Sequence, residues 1–137
     1  MRSIKIAVAV LALVVTGCGG AGGTSGGGSS GNDEGAVRAV MADLQTASRE
    51  GDGNRICNQI FTPKLADSVT SSSPTGSCAK EVRHKLFSPD AKIAVESVDV
   101  SDPANAKATV KEKNGKTSNV FLVKQSGEWR IRSVQPA

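Results

Sequence analysis

The apolar positions of this 137-residue chain change period once, and the change divides the folded part in two. From Asn32 onward Val37, Val40, Met41, Leu44 and Ala47 recur at helical spacing, so they predict one apolar stripe on an amphipathic helix. Asn32 or Asp33 can cap that helix, with Glu34 favourable in its first turn, and Gly51 and Gly53 end it. A second helical piece carries Ile56, Cys57, Ile60 and Phe61. Thr62-Pro63 reads as a cap and a first-turn proline that continue it through Leu65, Ala66 and Val69. After a polar loop from Thr70, Ser77 can cap a third helix, running from Cys78 to about Phe87.

Beyond Ser88-Pro89 the period falls to two, and four strands are predicted at about 92–100, 105–113, 117–125 and 128–135. In the first, Ile93 and Val95 keep one phase and Val98 and Val100 the other, which a bulge near Glu96-Ser97 reconciles. Asn114-Gly115 predicts a two-residue hairpin with Lys113 facing Lys116, Ala108 facing Phe121 and Val110 facing Asn119. A three-residue turn, Gln125-Ser126-Gly127, then sets Val123 against Trp129 and Phe121 against Ile131. This register makes one face apolar. On the other it places Val120 and Leu122 among Lys107, Lys111, Lys113, Lys124, Arg130 and Arg132. The expected class is α+β, with N-terminal helices packed on one face of a curved four-stranded antiparallel meander.

The segment before residue 32 has a different character. Arg2 and Lys5 precede ten apolar residues, Ile6–Val15, too few to span a bilayer. Val15-Thr16-Gly17-Cys18 follows, and this stretch resembles a bacterial lipobox. The resemblance implies a signal peptide over 1–17, cleaved before a Cys18 whose thiol carries lipid. The chain is then exported and held at the cell membrane through that lipid, facing the extracytoplasmic side. Residues 19–31 contain eight glycines, with Ser, Thr and Ala between them. With the lipidated cysteine they form a flexible tether (18–31), with an r.m.s. reach of about 20 Å and a limit of about 45 Å. The domain proper then covers 32–137.

Removing Arg2 and Lys5 lowers the formal charge from +4 to +2. With 3% aromatic residues as well, the mature chain gives no ground for a nucleic-acid partner. Setting Cys18 aside leaves Cys57 and Cys78, which in an oxidising compartment are expected to pair. A zinc site would need four ligands, and His84 supplies only a third, so no metal or cofactor is expected.

Helices followed by a meander that closes on Gly127-Glu128-Trp129-Arg130-Ile131 resemble the nuclear transport factor 2-like superfamily, the cone-shaped fold. More narrowly they are similar to small actinobacterial lipoproteins of that superfamily. The matching residues are the Gly53–Cys57 stretch, Cys78 opening the third helix, and Gly-x-Trp-Arg-Ile ahead of Val134. The likeness covers about residues 34–135. It lacks a strand between the second and third helices, which implies a smaller, more open cone. Cystatin-like packing is the nearest structural alternative.

Enzymes of that superfamily, such as ketosteroid isomerases and scytalone dehydratases, place Asp, Tyr or His inside the cone. This chain has no Tyr, and its single His84 falls on the solvent side of its helix. No catalytic residue is therefore assigned, and the expectation is a non-enzymatic binding or interaction module at the cell envelope. Val120, Leu122, Lys107, Lys111, Arg130 and Arg132 form its candidate interaction face, for an envelope protein or a second copy. Met41, Phe121 and Trp129 form a candidate pocket. The rival expectation is a cone-fold enzyme, or a degenerate relative, whose interior takes a small apolar substrate beside a buried carboxylate such as Asp43 or Glu81.

Overall fold

The computed structural model describes residues 30–83 and 92–137. The signal peptide, Cys18, the tether before Ser30, His84, Leu86, Phe87 and the Ser88-Pro89 boundary lie outside them.

Helix α1 spans Ser30–Glu50. It begins inside the glycine-rich run, so Asn32 and Asp33 are residues of the helix rather than its caps. Val37, Met41, Leu44 and Ala47 form its buried stripe, and Gly51 ends it at φ +67°. Helix α2, Gly53–Arg55, is capped by Asp52, whose carboxylate accepts the Arg55 N–H at 3.0 Å. It widens into a π turn, Ile56–Ile60, closed by the Phe61 N–H on the Ile56 carbonyl. Thr62 and Pro63 open α3, Pro63–Ser72, with the Thr62 hydroxyl accepting from Leu65 N–H. Ser77 caps α4, Cys78–Glu81, as expected.

Cys57 and Cys78 form a disulfide that joins the π turn to α4, with Cα atoms 6.2 Å apart. Closing a loop of this length contributes about 3 kcal/mol in the chain-entropy account. Gly53 belongs to the same junction. A β-carbon there would collide with the Ala79 backbone, so α2 and α4 approach this closely only with glycine at 53.

The sheet runs β1 (Ile93–Asp102), β2 (Asn105–Glu112), β3 (Thr117–Gln125) and β4 (Glu128–Pro136), in the spatial order β1-β2-β3-β4. All pairs are antiparallel. The bulge in β1 lies where the phase change puts it: Val95 faces Val110 and Ser97 faces Thr109, leaving Glu96 over. Ile93, Val95, Val98 and Val100 thereby reach the same face.

Both hairpins differ from expectation by one residue, in compensating ways. The first turn holds three residues, 113–115. Glu112 N–H donates to Lys116 O at 2.8 Å, and Gly115 is left-handed at φ +83°. The second is the two-residue turn, Ser126 and Gly127, both left-handed at φ 51° and 80°. Strand β3 alone is turned over as a result. Ala106 faces Leu122, Ala108 faces Val120, and Val123 faces Arg130. Val120 and Leu122 are core residues, 3% and 0% exposed, and not the centre of an outer face. Four consecutive apolar residues, Val120–Val123, let either phase look buried, and turn geometry decides between them. Trp129 and Ile131 keep the inner side because the two slips cancel.

The helices lie on that inner side. Met41, Leu44, Phe61, Ile56 and Val82 meet Ala106, Ala108, Val110, Val120, Leu122, Trp129 and Ile131 in one core. The free edge of β4 is covered: Phe61 bridges to Ile131, and Thr62 N–H donates to the Ile131 carbonyl at 2.8 Å. No helix among the described residues is long and apolar enough to cross a membrane.

Candidate functional site

The buried carboxylate of the described residues is neither Asp43 nor Glu81 but Asp33, 4% exposed. Stepping back four residues from Val37 along the apolar stripe lands on Asp33, so the helical period did mark it. Its Oδ1 accepts from Lys124 Nζ at 2.8 Å and from Trp129 Nε1 at 3.3 Å. Lys124 and Trp129 are themselves cross-strand partners, and the ammonium lies 5.6 Å from the indole centroid. The Lys124 hydrogen bond holds the Asp33 carboxyl below its ordinary range, against burial, which raises it, with Trp129 adding to the lowering. A base that stays ionised, with its charge taken up by Lys124, is poorly placed to accept a proton near neutral pH. Chemically the trio fixes the start of α1 to the last hairpin.

Asp43 forms a part-exposed ion pair with Arg55, and Glu81 accepts from the Ser73 hydroxyl at 2.9 Å. Neither is buried among apolar groups. Among the described residues no group of three or more His, Cys, Asp or Glu side chains could hold a metal.

The candidate pocket is not assembled. Met41 (2% exposed) and Trp129 (5%) are core residues. Phe121, carried over with β3, stands on the opposite face under the Arg132 guanidinium, 6.0 Å from its ring centroid. The outer face itself survives with a changed centre. Half-buried Phe121 and Val123 replace Val120 and Leu122 there. Lys107 stands directly between Asp99 and Phe121 across the strands, and Lys111 faces Thr117. Asn119 also lies on this side, where Thr109 Oγ1 bonds its Oδ1 at 3.2 Å, rather than on the apolar face. Arg130 is not free to serve this face. Its guanidinium reaches Asn58 O at 3.1 Å and Glu128 at 3.4 Å.

Among the described residues a concave seam lies on each side of α1, each with a volume of about 490 Å³. One is walled by Val40, Asp43, Gln59, Trp129 and Arg130, with Ala36, Ala39 and the last hairpin turn. Its charges are engaged, Asp43 with Arg55 and Arg130 with Glu128. The other lies between α1 and the edge strand β1, lined by Arg38, Met41, Ala42, Gln45, Arg49, Lys92, Ile93 and Val95. Gln45 Oε1 accepts the Ile93 N–H there at 2.7 Å, so helix and strand edge are tied. Sequence reasoning did not find this seam. Its two walls come from segments forty residues and more apart, and no local pattern joins them.

No protein-family profile and no curated protein matches the chain. Among solved structures it is similar to an NTF2-like (nuclear transport factor 2-like) protein of unknown function from Shewanella baltica OS155. The TM-score is 0.51 at 15% identity, covering 81% of this chain and all of that one. The fold is thus nuclear transport factor 2-like: helices on one face of a curved four-stranded antiparallel sheet.

Proposed function

We propose that the chain is an exported, lipid-anchored, non-enzymatic binding or interaction module at the bacterial cell envelope. The observation that carries the non-enzymatic part is the state of Asp33. The carboxylate at the buried position is charge-paired with Lys124 and hydrogen-bonded by Trp129, and the apolar side chains around it fill the interior. Recognition is then left to the surface: the seam beside β1 and the outer sheet face around Phe121, Val123, Lys107, Lys111 and Arg132. An envelope protein or a second copy is the partner proposed for that outer face.

The export part rests on the lipobox-like residues before Cys18 and is supported by the Cys57–Cys78 disulfide, a bond that persists in oxidising compartments. A glycine-rich tether suits a module that must reorient near the membrane surface. The full chain, expressed in a bacterium fed an alkyne-tagged fatty acid, tests the anchor. Label and membrane fractionation are expected for the native sequence, and both are lost in Cys18→Ser. An unlabelled native chain in the cytoplasmic fraction overturns the reading.

A further inference from the structure

We propose that the seam between α1 and β1 binds a small amphiphilic anion, an aliphatic chain ending in a carboxylate. The proposal rests on the binding-module reading and names the ligand class it would hold.

Three observations converge on it. The volume, about 490 Å³, is that of a small-molecule site. The floor is apolar: Met41 with half-buried Ile93 and Val95. The walls are cationic, with Arg38, Arg49 and Lys92 lining the seam and no acidic side chain among its described lining residues.

The use made of these cations separates this seam from its neighbour. Arg55, Lys124 and Arg130 all have carboxylate partners. Arg38 shares Glu34 in an exposed pair at 2.9 Å. The side chains of Arg49 and Lys92 have no hydrogen bond or ion pair with any described residue. The C-terminal end of a helix accounts for a cation at 49, since it faces unpaired carbonyls there, but not for one at 92.

The geometry orients a ligand. Gln45 grips the N–H of Ile93, the neighbour of Lys92 in the chain, one turn of α1 before Arg49, and both cations line the seam. These two form the head-group end. A guanidinium fork and an ammonium suit a carboxylate, one by paired N–H donors and the other as a point charge. From there the seam runs back along α1 toward Arg38, about 16 Å away at 1.5 Å per residue, over Met41, Ile93 and Val95. Arg38 at the far end is already paired with Glu34, which leaves the uncompensated charge at the Arg49 and Lys92 end and Met41, Ile93 and Val95 along the floor, the arrangement that a fatty carboxylate matches.

The test uses the full chain with Cys18→Ser, oxidised, titrated with decanoate below its micelle concentration and followed by amide chemical shifts. Shifts are expected at Gln45, Ile93 and Val95. Decanol and decyltrimethylammonium should bind at least about tenfold more weakly. Arg49→Gln with Lys92→Gln should weaken decanoate by a similar factor. Ala42→Glu, on an exposed position of the same wall, should abolish it while leaving the melting curve unchanged. Equal binding of decanol, no loss in either variant, or shifts centred on Phe121 and Arg132 would overturn the assignment. Mass spectrometry of the recovered ligand separates this from the broader reading. Decanoate bound at the seam but recovered converted to another compound would sink the non-enzymatic module and leave the site standing.

Discussion

The two ends of α1 treat charge in opposite ways. At the N-terminal end Asp33 is buried, and Lys124 and Trp129 are turned inward to meet it. A carboxylate removed from water is unfavourable unless an opposite charge and hydrogen bonds replace the lost solvent, and here Lys124 and Trp129 supply them. At the C-terminal end Arg49 is exposed, and Lys92 beside it has no partner among the described residues. The same helix, with one continuous apolar stripe along the sheet, has its buried charge paired at one end and leaves the Arg49 and Lys92 charges unpaired toward the other. Stability is concentrated where charges are paired, and capacity for a ligand is left where they are not.

The comparison is tested most severely beneath the fastened end. Leu122 is fully buried and faces Ile131, two pairs along from Lys124 and Trp129 and on the same face. Leu122→Ala should destabilise the domain by about 2–5 kcal/mol through lost burial and the cavity left behind, read as a lower midpoint in urea with an unchanged slope. If Leu122 were on an outer face the substitution would be nearly silent. A shift under about 0.5 kcal/mol would therefore reject the turned-over β3 along with the core built on it.

Asp33 comes next, and its signature is pH. Its folded pKa lies below the ordinary value, chiefly through the Lys124 hydrogen bond. Its stabilisation is therefore complete above the unfolded value of 3.8 and is lost as pH falls through the depressed folded value. Asp33→Asn should lower stability at pH 7 and flatten the decline seen on acidification below about pH 4. Some acid dependence should persist in the variant, because Asp102 is also held low by the Ala104 N–H and the Asn105 side chain in the turn between β1 and β2. Parallel acid curves for native and variant chains would show that Asp33 and Lys124 are not coupled.

These features were unequally legible in the sequence. The order of elements, the α1 stripe, the Thr62 and Ser77 caps and the β1 bulge follow from local period and turn chemistry, where each residue type has one good use. Strand β3 did not follow. Val120–Val123 is apolar in both phases, and its register depends on whether Lys113 joins one turn and Gln125 the other. The decisive constraint is tertiary, the inward Lys124 meeting Asp33 from ninety-one residues away. Asp33 was legible in principle, since it continues the stripe, but an acidic residue near a helix start is more readily read as a cap. The seam was not legible, because Arg49 and Lys92 come to line one groove only when α1 lies along β1.

The smallest expected effect is at the open end, and it tests the comparison from the other side. Arg49 is exposed, and the helix C-terminus is its nearest favourable field. Such an interaction is worth about 0.3–1 kcal/mol at low salt and is screened as salt rises. Arg49→Gln should therefore cost about 0.5 kcal/mol or less in urea unfolding, and the difference should vanish by about 1 M NaCl. A loss comparable to Leu122→Ala, insensitive to salt, would mean that Arg49 has a buried partner and is not available to a ligand. A silent substitution, set beside weaker decanoate binding in the Arg49 and Lys92 double variant, would separate binding from folding at this end of the helix. Asp33 allows no such separation, because the group that would be removed also ties the start of α1 to β3 and β4.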